Sequence, residues 1–336
     1  MARVLIAAIA AMVIAILVGP RFIAYLRKNE FGQHIREEGP ERHAAKQGTP
    51  TMGGLLIVAA ASIAFLALSR FTLPALTVFG TLLACGAIGF LDDFTKLHHR
   101  RSLGLSGRWK ILLLLAVTFA VGLAAHHQQL RHDVYIPVVD SWIPLGPGWY
   151  VLLFLIIAGA VNGVNLTDGI DGLAAGTSII ALATFTAMAV TIFIRSGTPR
   201  IENRLDVAYI GAAVVGASVG FLWFNSFPAE VFMGDTGAMA LGGAIAAMAI
   251  MMKVEFLLLF VGGIFAIEAL SVILQVLSFK WWGRRIFLMA PLHHHFEMKA
   301  WSETKIMVRW WIVTALLCGA GFALFYKYYP QIRPPH

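Results

Sequence analysis

The chain is divided into about ten long apolar stretches, and no water-soluble core absorbs that many. Their approximate limits are Val4–Leu26, Thr51–Leu68, Leu73–Leu91, Trp109–Ala125, Trp149–Val164, Leu173–Ile194, Val207–Phe224, Gly237–Met252, Phe256–Leu277 and Trp310–Tyr326. One crossing of a ~30 Å hydrocarbon layer takes about 20 apolar residues in a helix. Inside that layer every backbone polar group must be bonded internally, which leaves helices or a closed barrel. These stretches are continuous rather than alternating, which selects helices. The expected fold is an all-α integral membrane protein of about ten transmembrane helices, a single polytopic domain over residues 1–336. Composition agrees: 59% of residues are hydrophobic and only 13% are charged, too little charge to cover a soluble domain of this size. The first stretch begins almost at Met1 and lacks a small-residue cleavage site after a short apolar region. It reads as a retained anchor rather than a removed signal peptide.

The loops after the odd-numbered spans share one face of the membrane. They hold fifteen Lys and Arg, from Arg27 and Lys28 to Lys299 and Lys305, against nine on the other face. That excess marks the first face as cytoplasmic and places both termini outside. The formal charge of +8 is scattered over short loops, with no basic domain and no aromatic-basic stripe, so nucleic acid is not an expected partner. The segment 126–148 is the longest external connection, and its weak alternation suits a short hairpin. Cys85 and Cys318 lie in apolar runs far apart in sequence and read as small hydrophobic fillers, without a disulfide framework or metal spacing.

The unusual polar sequences all fall on the cytoplasmic face. They are KQGTPTMGG (46–54), FLDDFTK (90–96), NLTDGIDGLA (165–174), FNSFPAEVFMGDTGAMALGG (224–243) and PLHHHFEMKAWSETK (291–305). Span parity alone brings these distant segments to one side, which argues for a single site at the mouth of a helix bundle. For any one of Asp92, Asp93, Asp168, Asp171 and Asp235, a polar loop is explanation enough. Five together, with few bases adjacent, repel unless a cation or proton sits among them. Oxygen-only ligands favour Mg2+ over zinc. Asp168 and Asp171 are three apart and share a face of a helical turn, Gly169 and Gly172 leave the backbone accessible, and Asn165 adds an amide. A capping turn accounts for one of those aspartates, not for the pair with Asn165.

Asp235 precedes a span and reads either as an N-cap or as a metal ligand beside free helix N–H groups that attract phosphate. His293, His294 and His295 are consecutive, so their side chains diverge and do not readily share one ion. Donors to phosphate or sugar oxygens, or a plain amphipathic loop, remain. Glu255 and Glu268 read as structural. No GxxxxGK[ST] loop is present, so P-loop ATPase machinery is not expected.

FLDDFTK, NLTDGIDGLA, FMGDTGAMALGG and APLHHHFE closely resemble motifs of the bacterial phospho-N-acetylmuramoyl-pentapeptide transferases, in the polyprenyl-phosphate N-acetylhexosamine-1-phosphate transferase superfamily. The resemblance covers essentially the whole chain. It implies transfer of phospho-MurNAc-pentapeptide from UDP-MurNAc-pentapeptide to undecaprenyl phosphate, giving lipid I and UMP. It also implies Mg2+ dependence, a bacterial inner-membrane location, a cytoplasmic active site and a homodimer. By motif match Asp235 is the Mg2+ ligand, and Asp92 and Asp93 engage the lipid phosphate or support the nucleophile. Asp168 lies in the catalytic centre. Lys46, Asn165, Asp171 and Phe232 sit near the nucleotide, Asn225 neighbours the metal, and His293, His294 and His295 form a loop that closes over substrate. A sister transferase with a UDP-GlcNAc-type donor shares the aspartates. A secondary transporter, whose broken helices hold carboxylates near the midplane, is a third reading.

Overall fold

The computed structural model describes residues 1–29, 48–99, 103–195 and 205–332. In chain order the first eight helices are α1 (Ala2–Lys28), α2 (Gly54–Leu68), α3 (Leu73–His98), α4 (Gly107–His127), α5 (Gly148–Thr167), α6 (Leu173–Arg195), α7 (Asp206–Asn225) and α8 (Gly234–Met251). The remainder are α9 (Leu258–Val261), α10 (Gly263–Trp282), α11 (Leu292–Met298) and α12 (Glu303–Ile332). Among the described residues, nine helices are long and apolar enough to cross a membrane. The chain is a multi-pass, all-α membrane protein.

Two of the expected spans differ in detail. The second is realised as α2, which has 15 residues and is therefore only about 22 Å long. It starts at Gly54 rather than Thr51 because the preceding backbone is engaged elsewhere: Gly53 and Gly54 N–H donate to Phe232 and Met233 C=O, and Phe232 N–H donates to Pro50 C=O. The ninth is broken. A 3-10 turn at Glu255–Leu257 leads into α9, and the helix restarts at Gly262–Gly263 as α10. Paired glycines are poor helix formers.

The interior is built around α7 and α8, whose apolar windows are 78% and 89% buried, whereas α1 and α12 are 28% buried and present leucines and isoleucines outward. The sequence of α8 is mostly Ala, Gly and Met, and α2, α3, α5 and α6 all pack against it. Small residues permit that close approach in a bilayer, where packing rather than water drives association. At Gly89 of α3 a Cβ would overlap the Asp235 backbone, and at Gly243 of α8 one would overlap Cys85. These contacts bring the end of α3 against the start of α8.

The two ends of the bundle differ in chemistry. At one end Asp206, fully buried, accepts from Ser69 Oγ, Thr72 Oγ1 and the N–H groups of Arg70 and Thr72. This ties the start of α7 to the α2–α3 turn. At that same end β1 (Asp133–Ile136) and β2 (Ser141–Pro144) form an antiparallel hairpin, as the long loop suggested. Lys253 Nζ fastens it by donating to Arg131 and Asp133 C=O and to Glu255 Oε1. Burial raises the Glu255 carboxyl above its ordinary value, and Lys253 offsets only part of that rise. The polar motifs gather at the opposite end.

Candidate active site

Asp92 and Asp93 occupy the last turns of α3, and Asp235 the first turn of α8. One carboxylate oxygen from each lies within 4.8 Å of the others, a spacing one metal ion could bridge. Asp93 is 4% exposed, and its oxygens accept from the N–H groups of Asp235 and Thr236 and from Thr236 Oγ1 at 2.7–3.1 Å. It thus caps α8 from a neighbouring helix, filling a role normally taken by the Ncap side chain. Asp92 is fully buried and accepts the Leu105 N–H at 2.7 Å.

Two lysines stand among these carboxylates. Lys96 Nζ lies 2.7 Å from Asp92 Oδ2 and 3.1 Å from Asp235 Oδ1. Lys110 Nζ, from the first turn of α4, lies 2.9 Å from Asp92 Oδ1 and 3.3 Å from Asp235 Oδ2. Two ammoniums against three carboxylates leave one negative charge uncompensated before Asp168 is considered. The donor set is all oxygen and suits a hard divalent cation such as Mg2+. Sequence reading had counted Lys110 only as loop charge. Lys96 could have been found from its i,i+4 spacing to Asp92. No local signal reveals Lys110, whose partners Asp92 and Asp235 lie on other helices.

Asp168 lies in the turn between α5 and α6, on the same side. Enclosure by the protein, then Asp235, Asp93 and Asp171, push its carboxyl up to about 8. It is therefore inclined to hold a proton near neutral pH and to act as a hydrogen-bond donor. Asp171 is 5% exposed, and its Oδ2 accepts the Ala229 N–H at 3.0 Å. Asn225, also buried, accepts from Gly172 N–H and donates to Val231 C=O. These two side chains staple the NLTDGIDGLA turn to the loop that carries Phe232. Asn165, at the end of α5, and Phe232 are partly exposed on this same end. Lys46 lies outside the described residues.

The three histidines go separate ways, as their adjacency implied. His293 is fully buried and faces Glu268. His294 pairs with Glu297, and its ring packs on His293. His295 Nδ1 accepts the Leu288 N–H at 3.1 Å, and burial followed by the Lys299 charge lowers its pKa.

Comparison with known proteins agrees with this geometry. The family model for glycosyl transferase family 4 matches residues 75–253. A phospho-N-acetylmuramoyl-pentapeptide-transferase signature matches residues 46–58, the PTMGG segment that pairs with Phe232 and Met233. The chain is 44% identical over 333 residues to the phospho-N-acetylmuramoyl-pentapeptide-transferase of Rubrobacter xylanophilus, covering 97% of this chain and 98% of the relative. It is 47% identical over 318 residues to the protein of the same name from Halalkalibacterium halodurans, covering 93% and 94%. The Bacillus pumilus protein of that name is 42% identical over 322 residues, covering 95% and 96%.

Proposed function

The chain belongs to the phospho-N-acetylmuramoyl-pentapeptide-transferase family, and from that premise we propose how its residues carry out the transfer. The protein is a phosphotransferase of peptidoglycan biosynthesis. It moves phospho-MurNAc-pentapeptide from UDP-MurNAc-pentapeptide to undecaprenyl phosphate, yielding lipid I and UMP. The observation that carries the site assignment is the meeting of Asp92, Asp93 and Asp235 beside Lys96 and Lys110 at one end of an apolar bundle.

The two substrates set a geometric constraint. A polyprenyl tail stays in the bilayer, and a charged nucleotide-sugar stays in water, so their phosphates meet only at the interface. Carboxylates at helix ends occupy that level at much lower cost than at a span centre. The basic excess of the odd-numbered loops supports a cytoplasmic mouth and external termini.

Asp235, with Asp92 and Asp93, would hold Mg2+, which when bound neutralises pyrophosphate charge. Lys96 and Lys110 are free to turn from carboxylate to phosphate oxygens once a cation takes their place. Asp168, in the turn beside this cluster, would lie in the catalytic centre. The lipid phosphate is already anionic at neutral pH and attacks the sugar-bearing phosphorus directly, with UMP leaving. Direct attack needs no covalent aspartyl intermediate, because the lipid phosphate already supplies an anionic nucleophile. Asn165, Asp171, Phe232, Lys46 and the histidine segment would contact the nucleotide-sugar, and Asn225 would fix the loop that does so. The protein would work as a homodimer, which cross-linking in native membranes tests.

A donor panel tests the substrate assignment. Purified protein with undecaprenyl phosphate and Mg2+ should release UMP from UDP-MurNAc-pentapeptide and not from UDP-GlcNAc. Release from UDP-GlcNAc alone would transfer the chain to the sister activity.

A further inference from the structure

A carboxylate and an imidazole outside the aspartate cluster face each other between α10 and α11. Glu268 lies within α10 with no exposed surface. An ionisable side chain inside a membrane span is costly, and by default it marks function. Its Oε1 accepts the Trp310 Nε1–H of α12 at 2.6 Å. Its Oε2 lies 3.4 Å from His293 Nδ1 and 3.4 Å from the His293 N–H.

His293 is equally buried, and neither ring nitrogen has an aligned hydrogen-bond partner. Nδ1 looks to Glu268. Nε2 points the opposite way, at Gly169, where a Cβ would overlap it. Gly169 is the residue next to Asp168 in the NLTDGIDGLA turn. A buried nitrogen without a partner is thus aimed at the backbone of the candidate site, through a space that exists because residue 169 has no side chain.

A purely structural Glu268 would join α10 to α12 through Trp310. That accounts for Oε1, and the His293 N–H accounts for Oε2, but the imidazole, with no aligned partner on either nitrogen, is left unexplained. A carboxylate at Nδ1 keeps the proton on that nitrogen, fixes the ring and tunes the other nitrogen, the arrangement by which outer-shell groups orient histidines.

We propose that Glu268 is a positioning residue that holds His293 so that Nε2 meets a substrate oxygen at the Asp168–Gly169 turn. This rests on the phosphotransfer reading above.

The test is a pair of mutant cycles on UMP release by the full-length protein. Glu268→Gln is isosteric: its amide oxygen still accepts from Trp310, while its NH2 group faces Nδ1, favours the opposite tautomer and gives up the bond from the His293 N–H. We expect kcat to fall about 10–100-fold, with KM for UDP-MurNAc-pentapeptide near wild type and only a small drop in thermal midpoint from the lost backbone bond. On a His293→Ala background the same change should cost less than about twofold, because both act through one group. Gly169→Ala presses on Nε2 from the other side and should lower kcat comparably, with the loss relieved on His293→Ala. Losses from Glu268→Gln that multiply in full with those of His293→Ala would overturn the proposal, as would an unchanged kcat. If Glu268→Gln does not fold, the Gly169→Ala cycle decides, and full multiplication there refutes it. A wild-type protein that releases no UMP would instead refute the phosphotransfer reading itself.

Discussion

Asp93 of α3 accepts both the backbone N–H and the hydroxyl of Thr236, at 2.9 and 2.7 Å, and so caps a helix to which it does not belong. The start of α8 therefore depends on α3 for its first hydrogen bonds. The geometry of the proposed site is held by a carboxylate that is itself one of the proposed metal ligands. Asp93→Ala should cost about 1–3 kcal/mol of stability as well as activity, read by thermal unfolding in detergent alongside UMP release. Asp93→Asn keeps one of the two acceptor oxygens and should cost less stability than Asp93→Ala. An Asp93→Ala protein as stable as wild type would remove the capping role.

Lys96 and Lys110 hold the carboxylate cluster together when no divalent cation is bound. Both are about 30% exposed, at 31% and 27% of side-chain surface, so solvent screening limits each contribution to about 1 kcal/mol. Lys110→Met should lower the thermal midpoint in chelator and show a larger recovery on adding Mg2+ than wild type does. Equal recovery in the two proteins would mean that Lys110 and the cation do not share the site.

The approach of α3 to α8 at Gly89 leaves no room for a side chain. Overpacking a tight contact costs about 1–3 kcal/mol, and here it moves Asp92 and Asp93 away from Asp235. Gly89→Val should therefore lose more than about tenfold in activity, since small misplacements of catalytic groups carry large rate penalties. Full activity in that variant would show that the α3–α8 contact does not set the site.

The far end of the bundle supplies a control. Asp206 is fully buried among donors from Ser69, Arg70 and Thr72. Leaving a buried donor without its acceptor costs about 1–3 kcal/mol, and several lose theirs here. Asp206→Ala should lower stability sharply while kcat of the folded fraction stays within about twofold, because no group at this end belongs to the proposed site. A selective fall in kcat at unchanged stability would contradict that division.

Much of this was legible in the sequence because apolar length and span parity are local properties that add along the chain. They delivered the helices, the common end of the bundle at which the described motifs gather and the hairpin. The start of α2 was misplaced because residues 50–54 pair with Phe232 and Met233, a contact no local pattern encodes. The ninth span reads as continuous by hydropathy, which does not register the break at Gly262–Gly263. Lys110 was counted as loop charge and Glu268 as structural, since their partners lie on other helices, beyond the reach of a local pattern. Gly169 was read as backbone access; its neighbour proves to be the His293 ring.

The most direct test of the account is Mg2+-dependent UMP release from UDP-MurNAc-pentapeptide and undecaprenyl phosphate, measured for wild type and Asp235→Ala side by side. The account predicts release by wild type that chelator abolishes, and a loss of about 100-fold or more in Asp235→Ala. Undiminished, chelator-sensitive release by Asp235→Ala would contradict it.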